Sequence, residues 1–413
     1  MHYQSDLVVV KMSSTCESIP VLYIKAYNNF DVGFKIGNTF KHFIQEHVKT
    51  KTTELLYSFY KTEEGRKLYN AAVETTERCY PHIVEEIRGM AEGSGVSFER
   101  LFLQDMVSEI ILHHSNKTKD KEVGQDIEIA GCTDIIVNTS DCRILAHNED
   151  WGTEVENMMY MVDVDLDKSA LCKDDNSKNI KKQETINQVT ARRNERYLAC
   201  IFPGYLAGNT FYVNKTFAVS IDSLVPKKVN HGAVPVDILL RALIGCESIE
   251  ECVAVMKNDP IGCSYGININ IASRKSDDMW TLEVYPDNDI TVVDVQHISY
   301  SNSANRDSYY VHTNYYKHVN DAEETPGLDG SKAREATASQ MSVPTCLQDV
   351  CNILGDTSST IEPIYRTPGS SFKSKTVATI ASAVFDMNES VLCVYLTNPK
   401  TAKRPCLSLP FVQ

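Results

Sequence analysis

The sequence predicts an α+β chain, a helical N-terminal segment followed by a layered region in which strands and helices interleave. Three observations carry that prediction. Over the first 115 residues apolar positions recur at helical spacing, and after Cys132 the period shortens to that of strands. Farther on, strand runs alternate with helix runs and no segment repeats. At 413 residues, 42% of them hydrophobic, the chain is long enough to bury a large core.

The opening MHYQSDLVVVKMSSTCES has one four-residue apolar run and lacks the basic and long apolar regions of a signal peptide. No apolar run approaches the roughly 18 residues of a membrane span. The thirteen cysteines are odd in number and include no CxxC pair, so they read as reduced thiols and the expected location is the cytoplasm. The sequons at Asn116, Asn138, Asn214 and Asn388 are then chance matches. A formal net charge of −14 argues against nucleic acid or an anionic membrane as partner and mildly favours cationic small molecules, though charge alone identifies no ligand. His113-His114 has no second ligand cluster, so no metal and no cofactor are expected.

Val32, Ile36, Phe40, Phe43 and Ile44 mark one face of a first helix, with Gly33 and Gly37 four apart and able to permit close packing. Ile83, Ile87, Met90 and Ala91 mark a second, ending near Gly93 and Gly95. A third starts after Ser97 and runs through Leu101, Phe102, Met106 and Ile110. These helices read as an accessory part. Residues 115–130 are polar and read as a loop leading to Gly131.

Residues 132–137 and 143–147 then read as strands around the turn residues Asn138-Thr139-Ser140-Asp141. The polar stretch 165–195 reads as a surface insertion. Beyond it FYVNKTFAVSIDSL suggests a strand pair, PVDILLRALIG a helix, and GININIAS and MWTLEVYP two further strands. TVATIASAVFDMNESVLCVYLTNP reads as a hairpin turning at Asn388-Glu389-Ser390.

The chemistry concentrates at Gly131-Cys132. Centring the hairpin turn between Thr139 and Ser140 pairs Cys132 with about His147 and puts Asp150 just beyond, within reach of the thiol. A thiol placed after glycine at a strand start can attack the preceding carbonyl. The N→S shift gives a thioester, and its hydrolysis breaks the Gly131–Cys132 bond. The freed α-amine, with a reference pKa of about 7.7–8.0, can then serve as base for its own thiol. By residue type alone, a buried unreactive cysteine remains the commoner reading.

Gly131-Cys132-Thr133, Arg143-Ile144-Leu145 and His147-Asn148-Glu149-Asp150-Trp151 resemble the self-cleaving N-terminal nucleophile (Ntn) amidohydrolases of the isopenicillin-N acyltransferase type. The resemblance continues through Ile19-Pro20-Val21-Leu22-Tyr23, Val32 to Gly37, Leu101-Phe102-Leu103, Pro203-Gly204-Tyr205, Arg241-Ala242-Leu243 and Phe385-Asp386. Only the insertion around 165–195 stands outside it. It implies a four-layer αββα sandwich, self-cut into a small chain 1–131 and a large chain 132–413 that stay together. It also implies roles. Cys132 is the nucleophile and new N-terminus, Asp150 its acidic partner, Asn268 an oxyanion donor and Arg334 a support of the site. His312-Thr313-Asn314 resembles a stretch near the substrate pocket. The implied substrate is an N-β-alanyl amide of a biogenic amine such as dopamine or histamine.

One departure falls in Ser220-Ile221-Asp222-Ser223-Leu224, where the family commonly has Asn in place of Asp222. Its carboxylate could hold a cationic aminoacyl group or lie on the outer strand face. Without the resemblance, Asn268 reads as satisfying backbone groups, Arg334 as a solvated helix face and His312 as an ordinary histidine. Two other functions stay open: an acyl-CoA-dependent N-acyltransferase, against which the lack of a Gly-rich phosphate loop counts, and a non-enzymatic scaffold or small-molecule carrier.

Overall fold

The computed structural model describes the backbone of residues 7–8 and residues 18–117, 131–169, 185–287, 290–368 and 376–413. Strands β1 (Leu7–Val8) and β2 (Val21–Ala26) precede seven helices: α1 (Asn29–Thr39), α2 (Lys41–His47), α3 (Lys51–Tyr60), α4 (Glu63–Cys79), α5 (Pro81–Ser94), α6 (Phe98–Gln104) and α7 (Val107–Lys117). The expected first helix breaks at Phe40, whose φ of −101° and ψ of 23° leave the helical region, so its single apolar stripe is shared by α1 and α2. The third helix divides in the same way between α6 and α7. The second ends as expected, with Gly95 left-handed at φ 72°. Residues 115–117 still belong to α7, and the remainder of the expected loop lies outside the described residues.

From Cys132 onward come β3 (Cys132–Asn138), β4 (Arg143–Gly152), β5 (Tyr160–Leu166), α8 (Ile186–Arg192), β6 (Glu195–Ile201), β7 (Phe211–Asn214) and β8 (Phe217–Ser223). Next are α9 (Val236–Leu243), α10 (Ile249–Lys257), β9 (Ile267–Ser273), β10 (Met279–Asp287), β11 (Ile290–Ile298) and β12 (Tyr309–His312). The chain closes with α11 (Asp329–Gln340), α12 (Leu347–Leu354), β13 (Val377–Asp386), β14 (Val391–Tyr395) and β15 (Leu407–Pro410). The polar stretch 165–195 is not loop throughout. Its start completes β5, and a capping box of Thr185 and Gln188 opens α8 near its end.

Among the described residues the strands form two sheets, ordered β1-β2-β5-β6-β7-β8-β9-β10-β11 and β12-β3-β4-β13-β14-β15. The sheets meet where β3 and β4 face β8 and β9. Helices α1 and α10 cover the first sheet, with α5 packed on α1, and α11 and α12 cover the second. This is the four-layer αββα arrangement expected from the sequence. None of the described helices is long and apolar enough to cross a membrane, and the described cysteines are free thiols.

The N-terminal helices are not accessory. Their apolar residues, Val32, Ile36, Ile83, Ile87 and Phe102 among them, share one core with the first sheet. Arg241 on α9 donates to Glu86 on α5 at 2.7 Å and lies 2.8 Å from Glu195 of β6, with all three side chains buried. A cut before Cys132 would leave the helices of 29–117 joined to the rest by this core and by the Arg241–Glu86 ion pair.

Close approach of α1 and α5 requires glycine. A Cβ on Gly33 would sit 1.8 Å from the Glu86 carbonyl oxygen, and one on Gly89 2.1 Å from that of Phe30. Alanine gains about 1 kcal/mol of helix propensity, but the clash is with backbone and the helices must part. Gly33→Ala is expected to cost about 3 kcal/mol, read as a lowered urea midpoint.

Candidate active site

The β3–β4 hairpin forms as expected, with one correction to its register. Cys132 pairs with Glu149, two residues past His147. The turn is centred one residue later than its composition suggests, between Ser140 and Asp141, because Asn138 still pairs with Arg143 and Thr139 binds Cys142 across the loop. A shift of two keeps every side chain on its face.

At the mouth of this hairpin the backbone and the side chains of Asn314, Arg334 and Arg366 enclose the Gly131–Cys132 peptide. The Gly131 carbonyl accepts from the Asp150 backbone N–H at 2.9 Å, and the Cys132 N–H donates to Asn314 Oδ1 at 2.8 Å. Arg334, 1% exposed on α11, donates to the Cys132 carbonyl, to Thr133 Oγ1 at 2.6 Å and to Asn314 Oδ1 at 2.8 Å. Burial and the neighbouring Arg366 push its guanidinium down to about 10. A Cβ on residue 131 would come within 2.9 Å of Arg366 Nη1 and 3.0 Å of Arg334 Nη2, so any other residue there would have to displace those guanidinium groups.

Asp150 faces away from the thiol, on the opposite side of β4 from Glu149. Its Oδ1 accepts from Thr379 Oγ1 at 2.5 Å, and its Oδ2 lies 3.5 Å from Arg366 Nε. Burial raises the carboxyl, with Arg366 and Arg334 pulling it back.

The other face of the hairpin looks into the space between the sheets and carries a continuous polar chain. The Cys132 thiol donates to Glu149 Oε1 at 4.0 Å, and Glu149 Oε2 lies 3.1 Å from His147 Nε2. His147 Nδ1 lies 3.1 Å from Asp134 Oδ2, and Asp134 bonds Ser220 and Asp222 of the facing sheet. Asp222 Oδ2 lies 3.2 Å from His312 Nδ1, whose Nε2 lies 3.1 Å from Glu283 Oε1. Glu283 accepts the backbone N–H groups of Lys317, His318 and Val319.

Burial opposes charge on His147, but Asp134 and Glu149 outweigh it and hold the imidazole well above its ordinary range. Asp222 is pushed well up by burial and by the charge of Asp134, with which it also shares a hydrogen bond. His312 behaves like His147. Burial pulls it down, yet Asp222 and Glu283 hold it up to about 9. A folded pKa above the unfolded value of about 6.5 stabilises fully below that value, and the contribution is lost as pH rises through 9. Thermal stability is expected to fall over this window, and His312→Gln should flatten the fall. Equal slopes in the two proteins would contradict it.

Asn268 lies opposite Asp222 in the neighbouring strand, on the same inner face. Its Nδ2 donates to Thr281 Oγ1 at 2.7 Å and to the Leu282 carbonyl at 3.0 Å, and its Oδ1 accepts from Asn270. Both amide hydrogens are thus spent within the sheet in the uncut chain.

The structure brings Gly131, Cys132, Asp150 and Arg334 together directly. Asp222 and His312 bind each other and reach Cys132 through Asp134, His147 and Glu149. Asp222 is buried rather than on an outer face, and its carboxyl is engaged by His312 and Asp134. Sequence reasoning gave no site role to Glu149, His147, Asp134, Asn314, Arg366 or Thr379. The signal for the first three is the polar run at the open end of the hairpin, Thr133-Asp134 opposite His147-Asn148-Glu149-Asp150, where the rest of both strands is largely apolar. The donor atoms of Cys132, His147 and Glu149 lie within 4.8 Å of one another, as do those of Asp134, His147 and Asp222. In both trios the histidine nitrogen is already bonded to a carboxylate.

A family model described as acyl-coenzyme A:6-aminopenicillanic acid acyl-transferase matches residues 137–401, well over half the chain. The chain is 26% identical over 398 residues to the Drosophila melanogaster protein named beta-alanyl-dopamine/carcinine hydrolase, covering 94% of this chain and 96% of that one. Among solved structures it aligns with a variant of conjugated bile acid hydrolase from Clostridium perfringens at 13% identity and TM-score 0.35, over 64% of this chain and 89% of that chain. It also aligns with penicillin V acylase from Agrobacterium tumefaciens at 12% identity and TM-score 0.36, over 64% and 83% of the two chains.

Proposed function

The chain belongs to the acyl-coenzyme A:6-aminopenicillanic acid acyl-transferase family, and we propose that it is a self-cleaved amide hydrolase with Cys132 as nucleophile. The substrate of this reading is an N-β-alanyl amide of a biogenic amine. The observation that carries the chemistry is the Gly131–Cys132 junction. A buried thiol follows a peptide whose carbonyl is held by the Asp150 N–H, with the Arg334 and Arg366 guanidinium groups around the glycine.

Cleavage there yields chains 1–131 and 132–413 and frees the Cys132 α-amine, which takes the thiol proton. The thiolate attacks the substrate carbonyl, the amine leaves with a proton, and water then releases the acyl group from the thioester. Backbone N–H groups and Asn268 are the oxyanion donors in this scheme, and Asn268 must first release Thr281 or Leu282. Such a donor contributes about 3 kcal/mol. Asp150 orients the new amine, while Arg334 fixes the strand that carries it.

The likeness in length and sequence to the Drosophila hydrolase supports the β-alanyl amide. A second observation agrees with a cationic acyl group. Besides burial, the charges that act to keep the thiol protonated are those of Glu149, Asp222, Asp150 and Asp134, so carboxyls crowd the nucleophile. Asp222 and His312 lie on that side of the thiol.

The test is to supply the purified protein with β-alanyl-dopamine, β-alanyl-histamine and N-propionyl-dopamine, which lacks the ammonium. Release of β-alanine, with the propionyl amide cut at least about tenfold more slowly (a loss of about 1.4 kcal/mol in the transition state), is the expected outcome. The family's description names an acyl-transferase. Amide formation from an acyl-CoA and an amine, without hydrolysis, would therefore turn the reading to transfer.

A further inference from the structure

We propose that Glu149 is the general base of self-cleavage, taking the Cys132 thiol proton before any free α-amine exists. The proposal rests on the self-cleavage reading above and identifies the group that starts it.

The amine that activates the mature nucleophile is absent from the uncut chain. Cys132 N is an amide nitrogen, acylated by Gly131 and donating its hydrogen to Asn314 Oδ1, with no basic lone pair to offer. Burial also pushes the thiol well above its ordinary range, so it does not ionise unaided. Some other group must accept its proton.

Glu149 meets the geometric requirement. It is the direct cross-strand partner of Cys132, so both side chains rise from the same face at adjacent positions. Its Oε1 receives the thiol at 4.0 Å, while Oε2 is anchored by His147 Nε2. One oxygen is held and the other faces sulfur. Burial raises the Glu149 carboxyl and so its affinity for a proton, while the His147 imidazole, itself fixed by Asp134, pulls it back. Asp150 cannot substitute, because its side chain lies on the opposite strand face with Thr379.

In the first step the Sγ–H proton passes to Glu149 Oε1 and sulfur adds to the Gly131 carbonyl carbon. The oxyanion that forms is met by the Asp150 N–H already in place at 2.9 Å. The carbon–nitrogen bond then breaks, and the Glu149 proton goes to the departing Cys132 nitrogen, leaving thioester and amine. Water adds to the thioester carbon and sulfur leaves, giving a Gly131 carboxylate and an N-terminal Cys132. Glu149 ends as it began, and no further reactant is consumed.

The experiment follows cutting of the freshly made full chain by intact mass for wild type, Glu149→Gln and Glu149→Asp, with circular dichroism to establish folding. Glutamine keeps the shape and an acceptor for His147 but takes no proton. E149Q is expected to cut at least about 100-fold more slowly, with E149D, whose carboxylate is drawn back from sulfur, in between. Hydroxylamine, which captures thioesters, should speed cutting of wild type and leave E149Q unmoved. A purely structural role would not produce that difference. A folded E149Q that cuts at the wild-type rate, or that hydroxylamine accelerates equally, overturns the proposal. Should E149Q fail to fold, a folded E149D cutting at the wild-type rate overturns it just as well. An uncut wild type instead sinks the self-cleavage reading itself, so the two failures are distinguishable.

Discussion

Cys132→Ala is expected to abolish amide hydrolysis, lowering kcat/KM by on the order of ten-thousand-fold or more, while leaving the fold intact. The loss follows from chemistry: without sulfur no thioester forms, and polarisation of the amide by remaining donors cannot supply a nucleophile. The fold survives because the thiol makes one weak polar contact, the 4.0 Å approach to Glu149, and a methyl group still fills most of its place. The stability cost is about 1 kcal/mol, mainly from the small space left behind. Kinetics with β-alanyl amides and a urea titration on the same preparation check both halves. Activity retained in the alanine variant would remove Cys132 from the mechanism.

Arg334→Ala carries the largest expected stability effect, about 3–5 kcal/mol. Two contributions oppose each other. Its guanidinium is buried beside Arg366, and removing it relieves that repulsion and a desolvation cost, the same causes that push its pKa down to about 10. Against this, the Cys132 carbonyl and Thr133 Oγ1 lose the Arg334 donor, Asn314 Oδ1 keeps only the Cys132 N–H, and Asp150 loses one of its nearby cations. Each buried acceptor left unpaired costs about 1–3 kcal/mol, so the loss outweighs the relief. Arg334→Lys should not restore stability, since one ammonium cannot span acceptors that a planar fork reaches together. An unchanged urea midpoint in the alanine variant would contradict this account.

What the sequence revealed was mostly local. The stripe from Val32 to Ile44, the Gly95 helix stop and the hairpin after Cys132 all rest on periodicity and turn chemistry, which act over a few residues. The break at Phe40 changed the helix count without moving the buried face. The register error has the same local character, because turn composition placed the centre between Thr139 and Ser140 while Asn138 and Arg143 still pair. Cys132, Asp150 and Arg334 were found through a resemblance, and all three lie at the Gly131–Cys132 peptide.

The inter-sheet chain was not legible. Asp134 meets Ser220 and Asp222 across two sheets, His312 meets Glu283 between strands of different sheets, and the separations run from 29 to 90 residues. No local pattern encodes such pairings. Arg366, which flanks Gly131, follows no periodic element, and the engaged amide of Asn268 depends on Thr281 from the next strand. The polar run at the open end of the hairpin announced that something polar would face it, without naming it.

The central claim is that this chain cuts itself before Cys132. Intact mass and N-terminal sequencing of the purified wild-type protein test it most directly. The account predicts two associated pieces, one ending at Gly131 and one beginning Cys-Thr-Asp-Ile. A single full-length mass, unchanged on prolonged incubation of the folded protein, would contradict it and leave Cys132 without the amine that the mechanism requires.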